Sequence, residues 1–512
     1  MNDATPQAAA SELISAFAQE LNLVKLDHFL KSRADGPYLI LQVVHPSEHP
    51  FRALREAQAT LPEDHPFKQR ATIQKRSGTV NNRIQLPEAH LLRAILSESL
   101  TVDQHTFGEH FFDRYIRSVF GYEEQIVSEG NYLVYGRRGS GKSSLLAYAM
   151  HHRQQQRKPY AWIDMQPYEK RDDIQVSIDV TSVILQQLNA CLQNENELSN
   201  LVRSLEDMCS MEDSHAEKAF KRLIPRISRT IAGVTRNYGE IAFFIDDIHL
   251  LSSAFQPKLL GHLYSISRGN RCHLKISGIE QFSRPWSSTE QVGLESPHDA
   301  QVLKLDYNLT MPEKTKTHIE SILDAHAQFC GLPSVAYISG ADVLSRLVWV
   351  AAAVPRDALH LFAQAITRAT SQDQKKVSIT SINLAASEIA EHKLRDVEQD
   401  HSEEVASTRH VLEQLKTFCV KDKRQNAFLV EIKNDDEAFG CVQDLIALRL
   451  VHVLHEGITP HEAGRRYQAL MLDYGFYVGI RAARSVDLFQ KNPKTPSAKD
   501  LRSLPVFKPE MA

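Results

Sequence analysis

Between Gly136 and Ser143 the chain reads Gly-Arg-Arg-Gly-Ser-Gly-Lys-Ser, which fits GxxxxGK[ST] at each fixed position. This spacing suits a polyphosphate. Gly136, Gly139 and Gly141 let backbone N–H groups curl around phosphate oxygens without a Cβ in the way, and Ser140 lies within the same loop. Lys142 is placed to reach β- and γ-phosphates, and the Ser143 hydroxyl to take one position on Mg2+. A second acidic element lies about a hundred residues downstream, where the apolar run Ile241-Ala242-Phe243-Phe244-Ile245 ends in Asp246-Asp247. A buried strand that delivers Asp246 to its tip puts a carboxylate beside the metal through a bound water. Asp247 is then placed to polarise an attacking water as general base.

Each cluster needs elements to hold it. An apolar strand, Tyr132 to Tyr135, precedes the glycine-rich loop, and a helix, Ser143 to Arg153, follows it. The helix presents its positive N-terminal end to the same anion. Further strands are expected at Tyr160 to Met165, Ile241 to Asp246 and Cys272 to Ser277. Helices are expected at Val176 to Val202, Ala216 to Tyr238 and Pro257 to Ser267. Strands alternating with helices predict parallel pairing by right-handed crossovers, hence a three-layer α/β domain. Upstream, Ser11 to Leu30 reads as an amphipathic helix, with Leu13, Ile14, Phe17, Leu21 and Val24 on one face, before a strand over Tyr38 to Val44. His45 to Gln85 yields no pattern, Leu86 to Leu100 is helical, and Phe107 to Gly121 reads as an aromatic-rich helix. Downstream, Pro312 to Thr370 is helical, Gln372 to Val377 is a polar candidate hinge, and Glu388 to Leu412 is a charged helix. A last unit follows: strand Ala427 to Ile432, helix Cys441 to His455, then an aromatic-basic strand pair.

The length, 512 residues, predicts roughly three domains. Hydrophobic residues at 42% and charged residues at 24% are ordinary globular usage and exclude a disordered or collagenous chain. A net charge of −4 argues against a histone-like coat on nucleic acid. Six scattered cysteines without CxxC, and histidines that never pair with them at metal spacing, predict reduced thiols in a cytoplasmic protein. No signal-like start and no run of about 18 apolar residues is seen, so no membrane span is expected.

The run Leu133-Val134-Tyr135 through Ser143-Ser144-Leu145-Leu146, with Asp246-Asp247-Ile248-His249, resembles AAA+ ATPases of the origin-recognition (initiator) type and the related STAND ATPases. The resemblance covers about Phe107 to Thr370 and implies ATP and Mg2+ as ligands, with Ser144 following the loop in the nucleotide site. It also implies three further roles. Ser277, closing the fourth strand, matches the polar residue that senses the γ-phosphate. Arg356, in Val354-Pro355-Arg356-Asp357-Ala358-Leu359, matches the lid-helix arginine that reaches the same phosphate. Arg268 and Arg271, just before the fourth strand, occupy the place from which such proteins supply an arginine to a neighbouring subunit's site. One departure matters: many AAA+ enzymes have Asp-Glu where this chain has Asp246-Asp247, so slow hydrolysis or a nucleotide-state switch is implied. No LSGGQ-like signature is present, which disfavours an ABC-type ATPase.

The expected organisation is an α+β N-terminal module over residues 1–104, an AAA+ core over 105–300, and a helical lid over 301–375. A helical linker over 376–410 and a winged-helix-like domain over 411–512 complete it. From His461 to Ala512 there are nine Lys/Arg against five Asp/Glu, and Arg465, Arg466, Tyr467, Tyr474, Phe476, Tyr477, Arg481 and Arg484 interleave basic and aromatic character. Such a local excess suits phosphate contacts. The leading expectation is an ATP-dependent, homo-oligomeric switch or assembly factor acting on double-stranded DNA or a DNA-bound partner. Two alternatives stand beside it. One is a signalling or scaffold ATPase of a bacterial antiviral defence system, binding an effector protein through the N-terminal module. The other is a transposition-type DNA regulator.

Overall fold

The computed structural model describes residues 6–23, 25–34, 36–76, 81–100, 109–192, 196–305, 307, 309–399, 403–433, 436–459, 465–478 and 494–511. The chain folds into two compact units, one made of Met1–Leu100, Asp113–Ile116 and Asn308–Ala512, the other of Thr101–Phe112 and Arg117–Tyr307.

The first unit opens with a helix, Pro6–Glu20, shorter than the expected Ser11 to Leu30. Asn22 takes a left-handed conformation (φ 53°) and closes the helix, with Leu23 N–H donating to Ala18 O. Strand β1 (Asp27–Arg33) then pairs antiparallel with β2 (Gly36–Val43). The stretch after it, patternless in sequence, forms the helix Glu48–Thr60 and strand β3 (Ala71–Lys75), parallel to β2. The helix Pro87–Glu98 is as predicted, whereas among the described residues the aromatic helix spans Glu109–Arg114 and ends short of the expected Gly121, its expected start at Phe107 falling outside them.

The second unit holds a five-stranded sheet in the order β10-β4-β7-β6-β5. Its strands are β4 (Tyr132–Gly136), β5 (Tyr160–Asp164), β6 (Ile241–Asp246), β7 (Cys272–Gly278) and β10 (Gln301–Leu305). A short hairpin of β8 (Trp286–Ser287) and β9 (Val292–Gly293) lies between the last two. All neighbours in the large sheet pair parallel. Alternation along the strands makes two cores. Leu133, Tyr135, Ile163, Phe243, Ile245 and Ile276 join the helices Asp173–Cys191, Asn196–Met208, Asp213–Tyr238 and Gln256–Ser267 on one face. Tyr132, Val134, Trp162, Phe244 and Leu305 meet Leu145, Leu146 and Met150 of the helix Lys142–Gln155 on the other. The fold is therefore three-layered, as parallel strands covered on both faces require. β10 was not among the expected strands and lies just past residue 300.

In the remainder of the first unit, the helices Pro312–Phe329, Val343–Val350 and Pro355–Ser371 bury Leu323, Leu347, Phe362 and Ile366 in one core with Leu92 and Leu96 of the N-terminal segment. The candidate hinge is pinned: Val377 is fully buried, donates to Ile338 O at 2.8 Å and accepts from Gly340 N at 2.9 Å. After the helix Glu403–Thr417, strands β11 (Ala427–Glu431), β12 (Val451–Ile458) and β13 (Tyr467–Leu472) form an antiparallel sheet in the order β11-β13-β12. The intervening helix is Glu437–Ala447, not Cys441 to His455. Leu448 caps it and Arg449, at φ 60°, turns the chain into β12. Among the described residues no helix is long and apolar enough to cross a membrane. Four cysteines are buried, while Cys191 and Cys209 are exposed.

Candidate functional site

The glycine-rich loop leaves the carboxyl end of β4, where parallel α/β sheets place their ligands. Gly136 is packed so closely that a Cβ would meet Leu305 O at 2.8 Å, so the first glycine is required by packing against β10. Gly139 and Gly141 have φ of 86° and 93°, the left-handed region that favours glycine. Gly141 caps the helix Lys142–Gln155, and Leu145 N–H closes its first turn onto Gly141 O at 2.9 Å. The first amides of that helix have no partner within it. The Ser140 hydroxyl is buried and lacks a hydrogen-bond partner. Left-handed glycines, free helix-end amides and an orphaned hydroxyl fit a phosphate chain.

Lys142 is only 6% exposed; its Nζ donates to Arg137 O at 3.4 Å and lies 4.0 Å from Asp247 Oδ1. The loop and the acidic pair therefore share one site. Two strands away from β4, every residue of β6 is buried up to Asp246. β7 lies between the two and brings Ser277, fully buried, to the same level. Ser277 Oγ donates to Asp246 Oδ1 and accepts from Asp247 N–H at 2.9 Å. Burial, followed by the charge of Asp247, pushes the Asp246 carboxyl up to about 6, against hydrogen bonds from Ser277 and Ser143 and the charge of Lys142. The contact between Ser143 and Asp246 puts two hard oxygen donors side by side, a set that fits Mg2+. Held there by Ser143 and Asp246, the ion would supply neutralisation of phosphate charge.

Two nearby residues escaped the sequence reading as site members. Asp164, at the tip of β5, pairs in register with Asp246. His249 lies 3.6 Å through Nδ1 from Asp247 Oδ1. Only the adjacent position of His249 hinted at this, because its approach depends on Asp247 adopting a left-handed conformation (φ 56°).

The remaining predicted residues lie elsewhere. Arg268 and Arg271 are exposed and precede β7, whereas Ser277 lies at its far end. Six residues of strand span about 20 Å, so neither arginine can serve the phosphate loop of its own chain. Arg271 donates to Glu129 at 3.1 Å, and Arg268 lies 5.6 Å from the Tyr264 ring centroid. Arg356 is the second residue of the helix Pro355–Ser371 in the other unit. In the C-terminal segment Arg465 and Arg466 are exposed, but Tyr467, Tyr474, Phe476 and Tyr477 are buried. These aromatics are core residues and not a stacking face, which corrects the interleaved basic-aromatic surface. Arg481 and Arg484 lie outside the described residues.

A parallel sheet with a phosphate loop after one strand, an acidic pair on another and a polar residue between them defines a P-loop nucleotide-binding domain. Residues 113–275 match the AAA ATPase domain family, and this stretch of the chain is an AAA ATPase domain. Among solved structures, the chain is similar to the ORC2 protein of Aeropyrum pernix in ADPNP–ADP complexes, at 12% identity and a TM-score of 0.41, covering 75% of this chain and 96% of that one. It is also similar to Drosophila ORC bound to DNA, at 13% identity and a TM-score of 0.39, covering 85% and 97%. A third, the ORC1 protein of Aeropyrum pernix in complex with DNA, gives 14% identity and a TM-score of 0.38, covering 77% and 95%. A search of curated proteins finds no match.

Proposed function

We propose that the protein is an ATPase that works as a nucleotide-dependent oligomeric switch on DNA or a DNA-bound partner. The observation that carries this reading is the convergence of the glycine loop, Lys142, Ser143 and the Asp246–Asp247–Ser277 cluster at one end of a parallel sheet. Gly136, Gly139, Ser140, Gly141, Lys142 and Ser144 hold the nucleotide. Ser143 and Asp246 hold Mg2+. Asp247 takes the proton of the attacking water as that oxygen bonds to the γ-phosphorus, and the bond to the bridging oxygen breaks with its electron pair leaving on ADP. Ser277 registers the γ-phosphate through its link to both aspartates; for Arg356 the role of γ-phosphate sensor rests on the family resemblance alone.

Arg268 and Arg271 lie too far along β7 to act on their own site, and the family resemblance gives them the role of arginines supplied to a neighbouring subunit's site, which fits an oligomer. Arginines supplied in this way raise rates by about 10³ to 10⁵ in other P-loop enzymes. DNA contact rests on the exposed Arg465 and Arg466 within a segment of basic excess. The test is ATP turnover with and without double-stranded DNA, together with DNA binding across a salt series. Turnover that responds to DNA, and salt-sensitive binding lost when Arg465 and Arg466 are both changed to Ala, are expected. Salt-insensitive binding, or none, removes DNA from the account.

A further inference from the structure

Asp247 stands where a longer glutamate serves many related enzymes, so its carboxylate needs another means of reaching and holding its working position. The backbone supplies part of it. At φ 56° and ψ 46° Asp247 caps the single 3₁₀ turn Ile248–Leu250, and that turn folds His249 back onto the Asp247 side chain. His249 is 12% exposed at its side chain, and Nδ1 is 3.6 Å from Asp247 Oδ1. This separation is an ion-pair distance and too long for a direct hydrogen bond. Nδ1 is also buried without any hydrogen-bond partner. Such an orphan is uncommon in a native chain and calls for a cause. The same Oδ1 lies 4.0 Å from Lys142 Nζ, so imidazole and ammonium flank one carboxylate oxygen. Burial lowers the imidazole pKa despite the Asp247 charge, which keeps the ring neutral with one N–H to donate.

We propose that His249 is a positioning residue for ATP hydrolysis, its Nδ1–H orienting the Asp247 carboxylate once Lys142 has turned to the phosphates. The proposal rests on the ATPase reading above. Lys142 cannot hold both Asp247 and a γ-phosphate, so nucleotide entry removes one of the two groups beside Oδ1. A shift of well under 1 Å then closes the gap to His249, as catalytic hydrogen bonds tighten in the reacting complex. With Oδ1 held, the second oxygen is free to take the water proton. The water oxygen bonds to the γ-phosphorus, the bond to the bridging oxygen breaks, and its electron pair leaves with ADP. His249 gives up no proton in this step.

The test uses the full chain with His249→Ala and His249→Asn, the latter because an asparagine amide sits near the position of Nδ1. Three quantities are read: the ATP dissociation constant, kcat, and affinity for ADP with aluminium fluoride, a mimic of the transferring phosphoryl group. In His249→Ala, kcat is expected to fall about tenfold or more and the mimic to bind correspondingly less tightly, while ATP affinity holds within about threefold. His249→Asn is expected to recover most of the loss. An unchanged kcat in His249→Ala overturns the proposal, as do equal losses in both variants or a parallel loss of ATP affinity. A wild-type chain that fails to bind or to hydrolyse ATP overturns the ATPase reading beneath this proposal, whereas a hydrolysing wild type with an unchanged kcat in His249→Ala overturns this proposal alone.

Discussion

The hydroxyl of Ser277 accepts the backbone N–H of Asp247 at 2.9 Å while donating to the side chain of Asp246. One buried oxygen thus fixes both aspartates from the neighbouring strand. Ser277→Ala leaves a backbone donor and a buried carboxylate short of a partner, at a cost of about 1–3 kcal/mol. Denaturant unfolding is expected to show this loss, and ATP turnover to fall with it. Unchanged stability and turnover would show that the link is incidental.

Asp246 makes the site unstable in its empty form. With its carboxyl pushed up to about 6, the native chain keeps a proton that the unfolded chain has already lost above about pH 4. Stability therefore falls as pH rises through that interval and stays lower above it. Without nucleotide or divalent cation, Asp246→Asn is expected to raise stability at pH 7 by on the order of 2 kcal/mol, and the gain to vanish near pH 4. Thermal melts at the two pH values check this, with loss of Mg2+-dependent nucleotide binding in the same variant.

Asp473 behaves in the opposite way. Burial alone would push its carboxyl up, but Lys393 Nζ at 3.2 Å, His452 Nε2 at 3.0 Å and Gly475 N–H at 2.8 Å hold it well below the usual carboxylate range. A depressed carboxyl stabilises above its unfolded value of about 3.9, and that contribution is lost as pH falls below it. Asp473→Ala is expected to cost about 3 kcal/mol at pH 7, since it takes the carboxylate from the buried His452 and from the half-buried Lys393, with the difference shrinking below pH 4. Urea midpoints across pH 3 to 8 test it.

The phosphate loop and the acidic pair were legible because their signals are local: glycines at fixed spacing, and an apolar run ending in two carboxylates. Ser277 became legible through family resemblance, and the structure places it against both aspartates. What escaped depends on backbone conformations that carry no glycine or proline. Asn22 and Arg449 take left-handed conformations that end helices the apolar pattern would continue. β1 is exposed at nearly every position, so it has no hydrophobic alternation and is held by pairing with β2. β10 is a short edge strand with just two buried residues. His249 was within view but unassigned, because its contact requires the left-handed turn at Asp247.

If Arg271 serves a neighbouring subunit, two inactive variants should repair each other. Mixed Arg271→Ala and Lys142→Ala chains contain interfaces with an intact loop on one side and an intact arginine on the other. Turnover in the mixture is expected to exceed that of either variant alone. Additive, unrescued rates in a mixture shown to co-assemble would assign Arg271 only to its ion pair with Glu129.

The central claim is that the loop from Gly136 to Ser143 binds ATP through Lys142, and equilibrium titration of ATP with Mg2+ into wild type and Lys142→Ala tests it most directly. The account predicts saturable binding to the wild-type chain, weakened at least about tenfold by a substitution that removes a charge-assisted contact worth roughly 1.5–3 kcal/mol. Equal affinity in the two chains, or no binding to either, would contradict it.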